Sequence, residues 1–244
     1  MIVKPMSEIT ASTRVTVILP TYNERGNIVA LIEAIRSALE GHDLEVLVVD
    51  DNSPDGTAEL VRETFKDRQS VKLVVRTEDK GFAKSIRRGL EDATGDVLVV
   101  MDTDFNHQPK YLPFMVESMK HYDMVMGSRF LYGGLMEPRS RHLLSWVFNV
   151  YVRVVTGGQI TDNLYGFFAV HRRVMGGVNY DRVFFGYGDY FIRLLYYLQH
   201  QKIHILQFPA VNGRRLAGQG NSRFLKVFLK YSWATLGLSF RGRI

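Results

Sequence analysis

The chain has 244 residues, 46% of them hydrophobic, enough to bury one sizeable core and pointing to one domain with C-terminal decoration rather than two independent units. Its 31 lysines and arginines outnumber its 25 aspartates and glutamates, and a formal charge of +6 suits an anionic partner such as a diphosphate or an acidic membrane surface. With no cysteine, a disulfide scaffold and a thiolate metal site are excluded, and a reducing cytosolic setting is the default.

Residues 1–13 lack the long apolar core of a signal peptide and read as a flexible leader. Val15 to Leu19 is a β-branched apolar run without polar alternation, as expected of a strand covered on both faces. Ile28, Leu31, Ile32, Ile35 and Leu39 then recur at helical spacing, with Asn23 or Asn27 as the cap and Gly41 beyond the end. Leu44 to Val49 predicts a second strand, Thr57 to Phe65 a helix and Val71 to Val75 a third strand. Phe82, Ile86 and Leu90 line one face of the next helix, and Val97 to Met101 predicts a fourth buried strand.

Beyond Asp123 the pattern is less regular. A short strand at Met124 to Gly127, a helix over Leu143 to Val155, a helix over Tyr190 to His200 and a strand over Ile203 to Phe208 are expected, followed by a basic loop from Asn212 to Arg223. No stretch of about 18 uninterrupted apolar residues occurs, so no membrane span is predicted. The alternation of strands and helices predicts an α/β fold with a mostly parallel sheet flanked by helices, in which ligands bind beyond the carboxyl ends of the strands. Those ends carry Pro20 to Glu24, Asp50 to Ser53 and Asp102 to Asp104, where the polar chemistry collects.

Asp102 and Asp104 follow a buried strand at a spacing that turns both carboxylates to one side, the arrangement a hard cation such as Mg2+ or Mn2+ wants. Two carboxylates leave coordination positions open, which a nucleotide diphosphate would fill. Asp50 and Asp51 offer a second acidic pair; one of them accepts from a base or ribose, or both belong to the turn Asn52-Ser-Pro-Asp-Gly56. Asp189 is either a base for a hydroxyl acceptor or a helix cap or structural acid. His107 and His171 have no partner at metal-ligand spacing and read as structural. The helix over Leu143 to Val155 lies on a membrane surface or in the core, and Phe224 to Leu238 reads as an interfacial helix or a docking site for a membrane subunit. Nothing resembles the aromatic-interleaved basic stripe of a nucleic-acid binder.

Leu19-Pro-Thr-Tyr-Asn-Glu24, Val48-Val-Asp-Asp-Asn-Ser-Pro-Asp-Gly-Thr57, Gly81, Asp102-Thr-Asp104 and Gly127-Ser-Arg-Phe130 together resemble the family 2 glycosyltransferases, and within them the dolichyl- or polyprenyl-phosphate mannose synthases. The resemblance implies a GT-A, Rossmann-like catalytic domain over 14–223, with 224–244 as an amphipathic, membrane-surface helix. It also implies metal-dependent, inverting transfer of a hexose, mannose from GDP-mannose, to a polyprenyl or dolichyl phosphate at the cytoplasmic face of a membrane. The alternative is a family member acting on a sugar or protein hydroxyl.

By the same resemblance Pro20, Tyr22, Glu24, Asp51, Asp55, Asp102 and Thr103 border the nucleotide-sugar, and Asp102 and Asp104 hold the metal. Asn106 stands where the family has a glutamine that touches the metal. Arg129 matches an arginine near the acceptor phosphate, and Asp162 to Phe168 is similar to the family's Asp-Pro-x-Ser-Gly-Phe segment. In Gly213 to Arg223, Arg214 or Arg215 supplies a further arginine and Arg223 takes the place of a lysine, keeping the charge with a different phosphate geometry.

Overall fold

A computed structural model describes residues 13–212 and 231–238. The first half alternates strictly: β1 (Val15–Thr21), α1 (Ile28–Ala38), β2 (Leu44–Asp50), α2 (Thr57–Thr64), β3 (Val71–Val75), α3 (Phe82–Asp92) and β4 (Val97–Val100). After a 3-10 turn at Pro109–Tyr111 come α4 (Leu112–Ser118), β5 (Met124–Ser128), α5 (Arg139–Thr156), β6 (Phe168–His171), α6 (Arg172–Met175), α7 (Tyr180–Val183), α8 (Asp189–His200) and β7 (Ile205–Pro209). Residues 231–238 are helical.

The strands form one seven-stranded sheet in the order β3-β2-β1-β4-β6-β5-β7, in which β6 alone runs against its neighbours. Strand alternation divides the core cleanly. Val15, Val17 and Leu19 with Val46, Val48, Val97 and Val99 face one side and meet α1 and α4. Ile18, Leu47, Val49, Leu98 and Val100 face the other and meet α3 and α8. Each such buried branched side chain contributes about 1.5–3 kcal/mol of transfer free energy, so these runs commit the first four strands to the sheet centre. Helix α3 lies so close to the sheet that a Cβ on Gly89 would come within 2.3 Å of Ile18 Cγ2; only glycine permits that approach.

Several expected elements differ from those observed. The strand β6 was not anticipated, because four residues embedded in Phe167-Phe-Ala-Val-His171 give too short an apolar run to assign a period. Helix α5 begins four residues earlier than expected, at Arg139, and β7 runs from Ile205 to Pro209 rather than from Ile203. Asn27 occupies the N-cap of α1 without capping it through its side chain; its amide donates instead to Glu24 Oε2 at 2.6 Å. The leader lies outside the described residues except for Thr13, as does the segment 213–230.

At the amino-terminal edge of the sheet, Glu45 of β2 is fully buried and accepts from Thr16 Oγ1 (2.6 Å), Thr94 N (2.8 Å), Thr94 Oγ1 (2.9 Å) and Lys72 Nζ (2.6 Å). Burial pushes the carboxyl pKa up, but these donors outweigh it and bring the value down to about 2 from an ordinary 4.5. A folded-state pKa below the unfolded one contributes stability that is complete above about pH 4.5 and lost as pH falls towards 2, worth about 3 kcal/mol. Glu45→Gln is therefore expected to be less stable than the parent near neutrality, with the difference shrinking between pH 5 and 2 in denaturant titrations; a pH-independent difference would show that the carboxylate charge is not the stabilising feature.

Candidate active site

Three loops leave the carboxyl ends of β1, β2 and β4, and backbone and side-chain hydrogen bonds lace them together. Asp50 and Asp51 are consecutive at the end of β2, so their side chains turn to opposite sides. Asp50 closes the following turn, accepting from Ser53 N (2.8 Å) and Ser53 Oγ (2.6 Å), while Ser53 Oγ also receives Asn23 N–H from the β1 loop (2.9 Å). Asp51 reaches the other way, accepting from Gly81 N (2.7 Å), Ser85 Oγ (2.7 Å) and Arg76 Nη1 (2.6 Å), and so fixes the start of α3. Of the two, Asp51 is the one that lines the cavity described below.

The segment after β4 is held by a histidine. Asp102 N–H donates to His107 Nδ1 at 2.8 Å, so that nitrogen is unprotonated, and Nε2–H donates to the Tyr165 carbonyl at 2.9 Å. The ring is buried, stacked on Phe167 (4.8 Å) and set edge-on to Tyr165 (4.6 Å). Burial brings its pKa down to about 4, with Asp104 offsetting only part, so the imidazole is neutral. Phe105 adopts a left-handed φ of 63° between the acidic pair and Asn106, which turns Asn106 N (3.0 Å) and Asn106 Nδ2 (2.8 Å) back onto the Asp104 carboxylate.

Tyr165 continues the connection: its hydroxyl donates to the Asn106 carbonyl (3.2 Å), and Arg129 lies over its ring at 5.0 Å. Arg129 and Asp162 form a buried two-point pair, Nε to Oδ2 at 2.7 Å and Nη2 to Oδ1 at 2.9 Å, with Arg129 N also donating to Oδ2 (3.1 Å). The guanidinium expected at an acceptor phosphate thus has its charge already matched by Asp162.

These elements surround a cavity of about 1220 Å³. Pro20, Tyr22, Glu24, Asp51, Asp102, Thr103, Asp104, Asn106 and Arg129 all line it. Asp55 does not: its carboxylate, one residue before the α2 N-cap Gly56, ties the start of that helix to the β1 loop, accepting from Thr57 N (3.0 Å) and Arg25 N (3.1 Å). Arg214, Arg215 and Arg223 lie outside the described residues, but the flanking Asn212 and Tyr231 both line the cavity. Asp189 is buried and paired with Arg193 (2.6 Å), which in turn donates to the Val183 carbonyl (2.9 Å) and stacks on Phe185, so its role is structural. His171 is likewise structural, bonded to the Met119 carbonyl at 2.9 Å.

Sequence reasoning did not single out Arg141 and Ser145 of α5, Tyr187 and Tyr190 around the start of α8, or Tyr231 as cavity residues. Tyr187 and Tyr190 flank Asp189 in Gly186-Tyr-Gly-Asp-Tyr190, so the local signal for them is a short glycine-aromatic cluster around an acid.

Residues 16–177 match the family model for Glycosyl transferase family 2. The chain belongs to glycosyl transferase family 2. As a family 2 member it is 35% identical over 220 residues to a dolichol-phosphate mannosyltransferase of Pyrococcus furiosus, the alignment covering 88% of this chain and 61% of the relative. It is 37% identical over 176 residues to an undecaprenyl-phosphate mannosyltransferase of Micrococcus luteus, covering 70% of this chain and 71% of that one. The chain therefore spans about three fifths of the Pyrococcus relative's length. Among solved structures, glucosyl-3-phosphoglycerate synthase from Mycobacterium tuberculosis, in complex with Mn2+, UDP and glucosyl-3-phosphoglycerate, superposes with a TM-score of 0.71 at 20% identity over 94% of this chain and 80% of that one. That likeness shows the fold, the GT-A arrangement of a mostly parallel sheet between helices.

Proposed function

We propose that this family 2 protein transfers a hexose, mannose from GDP-mannose, to a polyprenyl phosphate with inversion at the anomeric carbon. The observation that carries the reading is the acidic pair Asp102 and Asp104 at the end of β4, in the same cavity as the β1 and β2 loops and Arg129. The names of the Pyrococcus and Micrococcus relatives supply the acceptor class.

The donor set fits a divalent cation. Asp102 and Asp104 bring two carboxylates to the wall of the cavity, while Arg129 in the same lining is already neutralised by Asp162. A diphosphate entering such a cavity needs added positive charge. Asp102 and Asp104 would hold Mg2+ or Mn2+, with the Asn106 amide oxygen, which has no protein hydrogen bond among the described residues, as a third ligand. When bound, the ion stabilises charge gathering on the departing diphosphate.

The acceptor phosphate is anionic at neutral pH, so one of its oxygens attacks the anomeric carbon as the bond to the diphosphate breaks, without a general base. Asp189, the candidate base for a hydroxyl acceptor, is buried in an ion pair with Arg193 and does not line the cavity, which agrees with this reading. Arg129 would orient the phosphate through directed N–H groups, and Arg214 or Arg215 with Arg223 would supply the charge. The protein works at the cytoplasmic face of a membrane; contact with lipid or a membrane-embedded subunit is supported by α5, in which Ser145, Phe148, Asn149 and Val152 face the core while Leu143, Leu144, Val147 and Val154 are exposed on the outer face. Among the described residues no helix is long and apolar enough to cross a bilayer.

The test is to incubate the protein with Mn2+, a panel of nucleotide-sugars and either a polyprenyl phosphate or the matching polyprenol, and identify lipid products by mass spectrometry. A glycosyl phospholipid from GDP-mannose and no product from the alcohol is expected. Transfer to the polyprenol instead would overturn the proposal.

A further inference from the structure

Tyr190, in the first turn of α8, is 1% exposed and lines the cavity, yet its hydroxyl has no hydrogen-bond partner among the described residues. The contrast with Tyr165 is direct, because that hydroxyl is donated to the Asn106 carbonyl.

The ring itself is immobilised, stacked on Phe184 (5.7 Å) and packed against Phe191 (6.0 Å) and Phe82 (6.1 Å). Beside the hydroxyl lies Gly166, at a φ of 73°, where a Cβ would come within 3.4 Å of the oxygen. Burial first, then the charge of Asp102 and the neighbouring Tyr231, hold the phenol well above its ordinary pKa, so it remains an O–H. A rigid hydroxyl left without a partner in a site closed by ligand is costly, so a bound ligand is expected to meet it.

We propose that the Tyr190 hydroxyl hydrogen-bonds a hydroxyl group of the transferred hexose and helps select the sugar. The reading rests on the nucleotide-sugar function proposed above. The loops after β1 and β2 frame the nucleotide, and the diphosphate belongs with the cation at Asp102 and Asp104, leaving the α8 wall for the sugar. That wall joins Tyr190 to Tyr187 and Phe191, aromatic surface suited to the C–H face of a pyranose ring, with one polar group to fix its orientation.

Titration calorimetry with Mn2+ separates this contact from the function it rests on. Wild-type binding of GDP-mannose tests the functional reading, and a wild type that binds no nucleotide-sugar overturns both. Tyr190→Phe removes one oxygen and keeps the ring; it is expected to weaken GDP-mannose about tenfold while leaving GDP within about twofold. Unchanged affinity for GDP-mannose overturns the proposal, and so does an equal loss for GDP, which would put the hydroxyl on the diphosphate. Should the variant lose its fold, judged by thermal unfolding, wild-type protein with the four GDP-deoxymannoses decides: one analogue binding about tenfold more weakly supports the contact, and equal binding of all four overturns it.

Discussion

Asp102→Asn is expected to fold like the parent and to lose about a thousandfold or more in kcat/KM. The change keeps shape and removes one negative charge from a side chain that is 36% exposed, so little packing is at stake. Its backbone N–H, not its carboxylate, makes the 2.8 Å bond to His107, and that bond survives the substitution. What is lost is half of the charge that would hold a divalent cation against a diphosphate. Asp104→Asn is expected to lose as much activity, with a small stability cost, because Asp104 accepts two bonds from Asn106 and an amide oxygen can replace only one carboxylate oxygen. Steady-state kinetics together with thermal unfolding check both variants; activity within tenfold of the parent would show that the acidic pair does not carry the chemistry.

Asp162→Ala is expected to destabilise the fold by about 3–5 kcal/mol, because it leaves the Arg129 guanidinium buried with no counter-charge. Asp162 is fully buried, takes both points of the Arg129 fork, and also accepts Arg129 N–H and Leu164 N–H (3.2 Å). In a chain of this size such a loss lowers the melting temperature by about 10 °C. The double variant Arg129→Met with Asp162→Leu removes both charges and is expected to recover part of that stability while staying inactive. Denaturant titrations of the single and double variants measure the coupling. If the double variant is no more stable than Asp162→Ala, the stranded charge is not the source of the loss.

Much of the sheet was legible because β1, β2 and β4 are covered by helices on both faces, so continuous runs such as Val97 to Met101 are unambiguous. The strand β6 was not, since its pairing with β4 and β5 reverses direction and depends on partners far away in the chain, such as Leu98 and Val125. The same division holds in the site. Asp102 and Asp104 could be named from their place after a buried strand, whereas Asp55, expected at the nucleotide from the family resemblance alone, ties down the start of α2 outside the cavity. The clamp made by His107 joins residues 58 apart, and Tyr190 acquires its meaning from three phenylalanine rings and a neighbouring glycine that no local pattern connects. Local chemistry marked the carboxylates; long-range packing decided which other groups meet them.

The most direct measurement is the affinity of the wild-type protein for GDP with Mn2+ and again in excess EDTA. With the diphosphate held through a cation on Asp102 and Asp104, binding is expected to be about a hundredfold tighter with the metal, and Asp102→Asn is expected to erase the difference. Equal affinity under the two conditions would contradict the account.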